Sequence, residues 1–162
     1  MKHSLLKLLP FVLSAIFVSA QEPGTRVPSV TFAPTGAVQA KPGVTTNVQL
    51  DFRVGSDFHI NSNKPKSELL IPTALKLTAT APVSVAALKY PAGEDVSFPF
   101  APGEKLSVYS GDFSITAAVK VPARAPAGNY PIAGELHFQA CDRSACYPPR
   151  SIPVKFIVSV NK

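Results

Sequence analysis

The sequence predicts an all-β protein, folded as an immunoglobulin-like antiparallel β-sandwich. After residue 20 the apolar side chains recur with a period of two, which is typical of half-buried strands, and no stretch has a helical period. Turn residues interrupt this pattern about every 8 to 12 residues, which indicates roughly seven to nine short strands. The chain's 17 prolines fit loops and edge strands better than helices or central strands. Two packed antiparallel sheets are the natural arrangement for so many short strands.

The first 20 residues have the organisation of a secretory signal peptide. Lys2 and Lys7 are followed by an apolar run that is too short to span a bilayer as a stable helix. Residues 18–20, with the sequence VSA, put small side chains where a signal peptidase cleaves. We therefore expect cleavage after Ala20, which leaves one domain over residues 21–162.

Charge and hydropathy exclude two classes of function. Removal of the signal peptide leaves 14 Lys and Arg against 10 Asp and Glu. The basic residues are scattered and do not cluster with aromatic residues, which argues against a nucleic-acid-binding surface. No later stretch is long and apolar enough to cross a membrane, so we expect a soluble, exported protein. A domain of this size can bury a core without the help of disulfides.

Each predicted strand is a run of alternating apolar and polar residues bounded by turn signals. In chain order these runs cover residues 30–32, 48–54, 58–61, 75–79, 83–88, 113–121, 130–138 and 152–160. Residues 106–109 are interpreted as a short strand or a loop. Residues 91–105 are rich in Pro, Gly and charge, and they are predicted to form a long surface loop, a kind that often carries function.

The chain's only two cysteines, Cys141 and Cys146, lie in the stretch FQACDRSACYPP at 138–149. In an exported protein such a pair can form and keep a disulfide. Closing so short a loop stabilises a fold by about 2 kcal/mol in the chain-entropy model, against about 4 to 5 kcal/mol for a loop of 100 residues. A close pair that is open to a partner suits thiol–disulfide exchange, which passes through a mixed disulfide. On the residues alone, both a structural staple and an exchange-active pair remain open.

The neighbours of the cysteines give further expectations. Strand parity places Cys141 on the face of His137, opposite Phe138, if no bulge intervenes, and this would aim its sulfur away from the core. Arg143 would favour a thiolate and Asp142 would oppose it.

A metal site is a weaker interpretation of the same residues. The two cysteines together with His59 or His137 could bind copper or zinc. Their spacing matches no standard zinc motif, and no methionine follows the signal peptide to bind copper. We interpret both histidines as structural, and we expect no metal and no cofactor.

Several stretches together resemble a known family, the N-terminal periplasmic domain of the thiol:disulfide interchange protein DsbD. They occur in the family's order and span most of the predicted domain: FHINSNKP at 58–65, IPTALKL at 71–77, KYPAG at 89–93, VYSGDFSI at 108–115 and GELHFQACDRSACYPP at 134–149. The last stretch, which contains both cysteines, is the specific one. The resemblance implies an immunoglobulin-like sandwich in the periplasm that acts as a thiol–disulfide oxidoreductase.

The resemblance also implies roles for single residues. Cys141 and Cys146 would be the redox pair, and Cys146, the later cysteine, would form the mixed disulfide. In this family a cap loop shields the cysteines. Its match in this sequence lies at residues Val108, Tyr109, Ser110 and Gly111. The ring of Tyr109 would then either cover the sulfurs or pack at the end of a strand.

The implied partners are proteins. A thioredoxin-like domain or a membrane electron-transfer protein would supply electrons, and periplasmic disulfide proteins would receive them. Full-length DsbD continues into a membrane domain and a thioredoxin-like domain, which this sequence lacks, so we expect a freestanding module whose reductant is another polypeptide. The competing hypothesis is a non-catalytic β-sandwich binding module with a structural disulfide.

Overall fold

The computed structural model describes residues 27–161, which form strands, turns and loops without any helix. The twelve strands in this range are β1 (Val30–Phe32), β2 (Val38–Ala40), β3 (Thr45–Val54), β4 (His59–Asn61), β5 (Ala74–Ala79), β6 (Ser84–Lys89), β7 (Glu94–Val96), β8 (Leu106–Tyr109), β9 (Asp112–Lys120), β10 (Gly128–Phe138), β11 (Ala140–Cys141) and β12 (Arg150–Val160). The predicted signal peptide, residues 1–20, lies outside the described residues. Within residues 27–161, no helix of the length and apolarity needed to cross a membrane is present.

The strands form three four-stranded sheets. The first sheet has the order β1-β3-β9-β6, the second β2-β12-β10-β5 and the third β11-β4-β8-β7. The pairing of β2 with β12 is parallel, and the other named pairings are antiparallel. The longest ladder joins β10 to β12 along the whole of both strands.

The first and second sheets enclose one hydrophobic core. On β3, Val48, Leu50, Phe52 and Val54 are buried while the residues between them are exposed, as a period of two requires. Strands β9, β10 and β12 alternate in the same way and contribute to the same core. The predicted all-β, immunoglobulin-like sandwich is therefore confirmed.

The structure has more strands than the roughly seven to nine that the turn spacing predicts. The additional ones are β2, β7 and β11, which contain only two or three residues each. A strand this short has no repeat from which a period could be recognised. Strand β7 lies within the segment 91–105, which the sequence predicts to be a loop, and residues 106–109 form β8.

One change of sheet positions the cysteines. Strand β10 leaves the second sheet at Phe138, and after Gln139 the chain enters the third sheet as β11, where it pairs with β4. Strand parity does not carry across this break. As a result Phe138, Ala140 and Cys141 are all buried.

Candidate functional site

A disulfide joins Cys141, the last residue of β11, to Cys146 in the loop that follows. The loop returns to β11 immediately after the second cysteine, because the backbone N–H of Tyr147 donates a hydrogen bond to the carbonyl of Ala140 (2.8 Å). The two cysteines are therefore held at the mouth of one short, closed loop.

Asp142 folds this disulfide loop, residues 141–147. Its Oδ1 accepts hydrogen bonds from the backbone N–H groups of Ser144 (2.7 Å) and Ala145 (2.9 Å), and its Oδ2 accepts one from the hydroxyl of Tyr147 (2.7 Å). These bonds favour the ionised carboxylate, with the bond from Ser144 the strongest, and they lower the pKa of Asp142. The carboxylate therefore stabilises the loop more in its ionised form than in its protonated form.

The two cysteines differ in exposure. Cys141 is fully buried (0 % exposed), whereas Cys146 is exposed. The prediction that Cys141 aims its sulfur away from the core is wrong, because it assumes an unbroken strand from His137 onward and the chain changes sheet at Gln139. The residue that a partner can reach in the described structure is Cys146.

His59 lies directly opposite Cys141 in the ladder between β4 and β11. Residues opposite each other in an antiparallel ladder point to the same side, with their Cβ atoms about 4.5 to 5.5 Å apart. The side chain of His59 is 5 % exposed, and its Nε2 has no hydrogen-bond partner among the described residues. Burial lowers the pKa of His59 from 6.5 to about 4, although the charge of Asp142 opposes this shift. The imidazole is therefore neutral near pH 7.

Two phenylalanine rings stack in series above His59. The ring of Phe98 stacks on the imidazole, with 4.0 Å between ring centroids and 17° between planes. Phe100 stacks on Phe98 in turn, at 5.3 Å and 15°. Both belong to the segment between β7 and β8, residues 97–105, which we call the aromatic flap. The sequence signal for the flap is the pair of phenylalanines in FPF, in an otherwise polar, Pro- and Gly-rich loop.

The segment predicted to be the cap loop, residues 108–111, is not the segment whose rings lie over His59. Val108 and Tyr109 are the buried end of β8. The ring of Tyr109 stacks on Phe113 in the core, at 4.9 Å. Its hydroxyl donates to Asn63 Oδ1 (2.6 Å), and burial raises its pKa.

These contacts make Tyr109 a packed strand-end tyrosine, the second of its two predicted roles. The remaining two residues, Ser110 and Gly111, form an exposed turn between β8 and β9, in which Gly111 has a φ of +60°. Such a φ favours glycine. The aromatic rings that lie over the cysteine-bearing ladder belong to the aromatic flap.

A buried polar network ties the disulfide loop to β4. Asn61 Nδ2 donates to the carbonyl of Ile71 (2.9 Å) and to Oε1 of Gln139 (3.2 Å). Gln139 Nε2 then donates to the carbonyl of Tyr147 (3.3 Å). The residue at which the chain changes sheet thus holds the far end of the disulfide loop.

His137 and Arg143, the other candidates from the sequence, lie outside strands β4 and β11. His137 is on β10, opposite Ser151 in the ladder with β12, and its Nδ1 is 3.2 Å from Ser151 Oγ. Arg143 is exposed in the disulfide loop, where it lines a surface hollow of about 400 Å³ together with Asp57, Asp142 and Ser144. Within residues 27–161, no three His, Cys, Asp or Glu side chains are grouped so that they could hold a metal ion.

The family described as the N-terminal domain of the thiol:disulfide interchange protein DsbD matches residues 29–156, which is most of the chain and includes both cysteines. Comparison with curated proteins gives no significant match.

Solved structures with a related architecture share little sequence with this chain. The reduced DsbD N-terminal domain of Neisseria meningitidis is 17 % identical, with a TM-score of 0.39 over 75 % of this chain and 82 % of that one. The same domain in complex with the PilB N-terminal domain is 17 % identical, with a TM-score of 0.41 over 85 % and 87 %. A type I cohesin from Pseudobacteroides cellulosolvens is 15 % identical, with a TM-score of 0.49 over 78 % and 88 %.

Proposed function

Because the chain belongs to the family of the DsbD N-terminal domain, we propose that it is a thiol–disulfide exchange relay in the periplasm. Cys141 and Cys146 cycle between disulfide and dithiol. The observation that carries this proposal is their unequal burial: Cys146 is exposed and Cys141 is fully buried. Exchange begins when a partner's thiolate attacks an accessible sulfur, and the unequal burial directs that attack to Cys146.

In the reducing half-reaction, a thiolate of the reduced partner attacks Cys146 Sγ and forms an intermolecular disulfide. The bond between Cys141 and Cys146 breaks, and its electron pair leaves with Cys141 Sγ. The partner's second thiolate then closes the partner's own disulfide and expels the Cys146 thiolate. The domain has gained two electrons, and the protons of its two thiols come from water.

The oxidising half-reaction is the reverse, with a different protein. The Cys146 thiolate attacks the acceptor's disulfide, and Cys141 then attacks Cys146 Sγ. This step restores the internal disulfide and releases the acceptor with two thiols. Thioredoxin-like proteins suit the donor role, because they present a low-pKa thiolate that attacks an exposed disulfide.

The aromatic flap supports a role in shielding the pair. Phe98 and Phe100 cover His59 on the ladder that contains Cys141, so we assign the cap of this site to residues 97–105 in place of 108–111. These rings would shield the buried side of the pair, at Cys141, while the exposed Cys146 stays open to a partner. The proposal includes export by the predicted signal peptide, residues 1–20, and one domain over residues 21–162.

The test is to trap the mixed disulfide. Cys141→Ala leaves the exposed Cys146 as the single thiol, and Cys146→Ala leaves only the buried Cys141. Each variant is incubated with a thioredoxin-like domain that keeps only its attacking cysteine, activated as a mixed disulfide with a chromogenic thiol. We expect Cys141→Ala to form a covalent complex at least about tenfold faster than Cys146→Ala, because the attacking thiolate must be accessible.

The variant that lacks both cysteines is the control, and non-reducing electrophoresis with mass spectrometry identifies the linked sulfurs. If neither single-cysteine variant forms a complex while both remain folded, the relay is excluded. The disulfide is then a structural staple of a binding module.

A further inference from the structure

We propose that His59 stabilises the thiolate of Cys141 during exchange, by donating a hydrogen bond from Nε2 to Cys141 Sγ. The inference deepens the proposed function and rests on it, because Cys141 becomes a thiolate only when the disulfide opens. It assigns chemistry to a histidine that the sequence indicates to be structural.

The fold places His59 beside Cys141. His59 and Cys141 are direct partners in the ladder of β4 with β11, and both are buried. Their side chains emerge on the same side, with Cβ atoms about 4.5 to 5.5 Å apart. This separation suits a hydrogen bond between an imidazole nitrogen and a sulfur atom once the sulfur is freed from Cys146.

A ring nitrogen of His59 has no hydrogen-bond partner in the part of the chain that the structure describes. Nε2 of His59 is buried without a partner among the described residues, and such atoms are rare because leaving them unpaired costs free energy. A purely structural histidine would be expected to have its nitrogen paired. The thiolate that forms beside it on reduction supplies the missing acceptor.

A buried thiolate at Cys141 is unfavourable unless it receives a hydrogen bond. Cys141 is fully buried, and burial in apolar surroundings raises the pKa of a thiol. The exposed Cys146 can be solvated by water, whereas Cys141 needs a donor from the protein. A neutral imidazole provides a donor without placing a second buried charge in the site.

The other groups around the pair do not replace this donor. Asp142, which follows Cys141, acts on His59 through its negative charge and would disfavour a neighbouring thiolate. Tyr109, opposite Ile60 on β8, donates its hydroxyl to Asn63. Phe98, which stacks on the imidazole, is uncharged. Arg143 is exposed in the loop.

The disulfide opens when the partner attacks Cys146. The partner thiolate forms a bond to Cys146 Sγ, the bond between the two cysteines breaks, and Cys141 Sγ leaves with the electron pair. The Nε2–H of neutral His59 donates to this anion without transferring its proton. The thiolate later takes a proton from water, or it attacks Cys146 Sγ again when the disulfide closes.

The main experiment measures the pKa of Cys141 in the Cys146→Ala background, by the ultraviolet absorbance of the thiolate as pH is raised. His59→Phe keeps a ring against Phe98 but has no donor, and His59→Gln keeps a donor. We expect His59→Phe to raise the pKa of Cys141 by about one to two units, because a hydrogen bond to a charged group is worth about that much. His59→Gln should recover part of the shift.

His137→Gln, on β10, is the matched control and should leave the pKa of Cys141 unchanged. Thermal unfolding is measured for every variant. A purely structural role for His59 predicts a lower melting temperature with the pKa of Cys141 unaltered, and that result would overturn the proposal.

A second measurement uses the protein with no change at His59, so it does not depend on the variants folding. The ring signals of His59 are followed by NMR in the disulfide form and in the dithiol form across the titration of Cys141. We expect the His59 signals to shift with the pKa of Cys141. Signals that do not respond would contradict the contact.

These readouts need no protein partner. If the trapping experiment fails while the pKa of Cys141 depends on His59, the relay is wrong and the contact is right. The opposite combination leaves the relay standing and removes His59 from it.

Discussion

At the scale of single residues, the site contains a histidine that is too deeply buried to become protonated near neutral pH. His59 is almost completely buried and its pKa lies near 4, because burial disfavours the imidazolium. The unfolded chain takes up a proton at this residue as pH falls through 6.5, while the folded chain does not. This difference makes folding stability depend on pH.

We therefore predict that His59 causes no change in the free energy of unfolding with pH above about pH 6.5. As pH falls from there toward about 4, His59 should lower the free energy of unfolding by about 2 to 3 kcal/mol in total. Urea unfolding of the disulfide form at several pH values between 4 and 8 measures this. The relevant quantity is the difference in slope between the parent protein and His59→Gln.

In His59→Gln this part of the pH dependence should disappear, whatever the stability of the variant at pH 8. His137→Gln retains His59 and should keep the slope of the parent protein. A variant series in which His59→Gln has the same slope as the parent would show that His59 is accessible to protons in the fold.

The residue identities at the site could be predicted, but their exposure could not. Cys141 and Cys146 are recognisable because they are the only cysteines and lie close together. The burial of Cys141 depends on the break at Gln139, which moves the chain from the second sheet to the third. This choice of partner strand is made by tertiary packing, and nothing in the alternation of FQAC indicates it.

At the scale of elements, the aromatic flap covers the buried side of the site, at His59. Its two rings, Phe98 and Phe100, lie between strands β7 and β8 and stack in series on His59. Phe100 is 36 % exposed, so the outer ring is already accessible to solvent. Backbone hydrogen bonds from Ala101 N–H to the carbonyl of Phe98 and from Glu104 N–H to that of Ala101 form turns within the flap. A segment of this kind, outside any strand ladder, opens at low free-energy cost.

Removal of the inner ring should open the buried side of the disulfide, at Cys141, to small reagents. We predict that Phe98→Ala increases the rate at which a small monothiol reduces the disulfide by a few-fold, because the ring above the ladder is lost. Phe100→Ala should have a smaller effect, since Phe98 still covers His59. Stopped-flow or quenched assays of thiol release follow the reaction.

Leu69→Ala is a suitable control for this experiment. Leu69 is 92 % exposed on the loop between β4 and β5, so its loss removes apolar surface without touching the flap. Equal rates for Phe98→Ala and Leu69→Ala would show that the flap does not shield the disulfide.

Long elements were easier to predict than short ones. Strands β3, β9, β10 and β12 have nine to eleven residues each, which is enough for a period of two to be unmistakable. The site, in contrast, is built on β4 and β11, with three and two residues. All three residues of β4 are buried, because neighbours cover both of its faces, and a strand covered on both faces does not alternate.

At the scale of the whole molecule, the sandwich provides a frame that does not depend on the disulfide. The core extends across the first and second sheets and includes Ile60, Tyr109 and Ala140 of the third, whereas the disulfide spans five positions of sequence. A bridge over so short a loop contributes about 2 kcal/mol in the chain-entropy model. The fold should therefore persist when the pair is reduced, which a relay requires of both of its states.

This independence leads to a prediction about the reduction potential of the pair. A disulfide that contributes little to the fold is correspondingly easy to reduce, because the folded frame loses little when it opens. The exposure of Cys146 gives a thiol access to the bond. We expect a potential of roughly −180 to −270 mV, within the range of exchange-active proteins.

Equilibration of residues 21–162 in buffers of defined thiol–disulfide ratio measures this potential, with the fraction of reduced protein read by alkylation and mass. The variant lacking both cysteines, compared by thermal unfolding, reports how much of the fold depends on the bridge. A potential well below about −300 mV would mark a structural disulfide. It would have to be accompanied by a large loss of stability in the double variant, because a strongly favoured disulfide must draw its free energy from the folded frame that holds it.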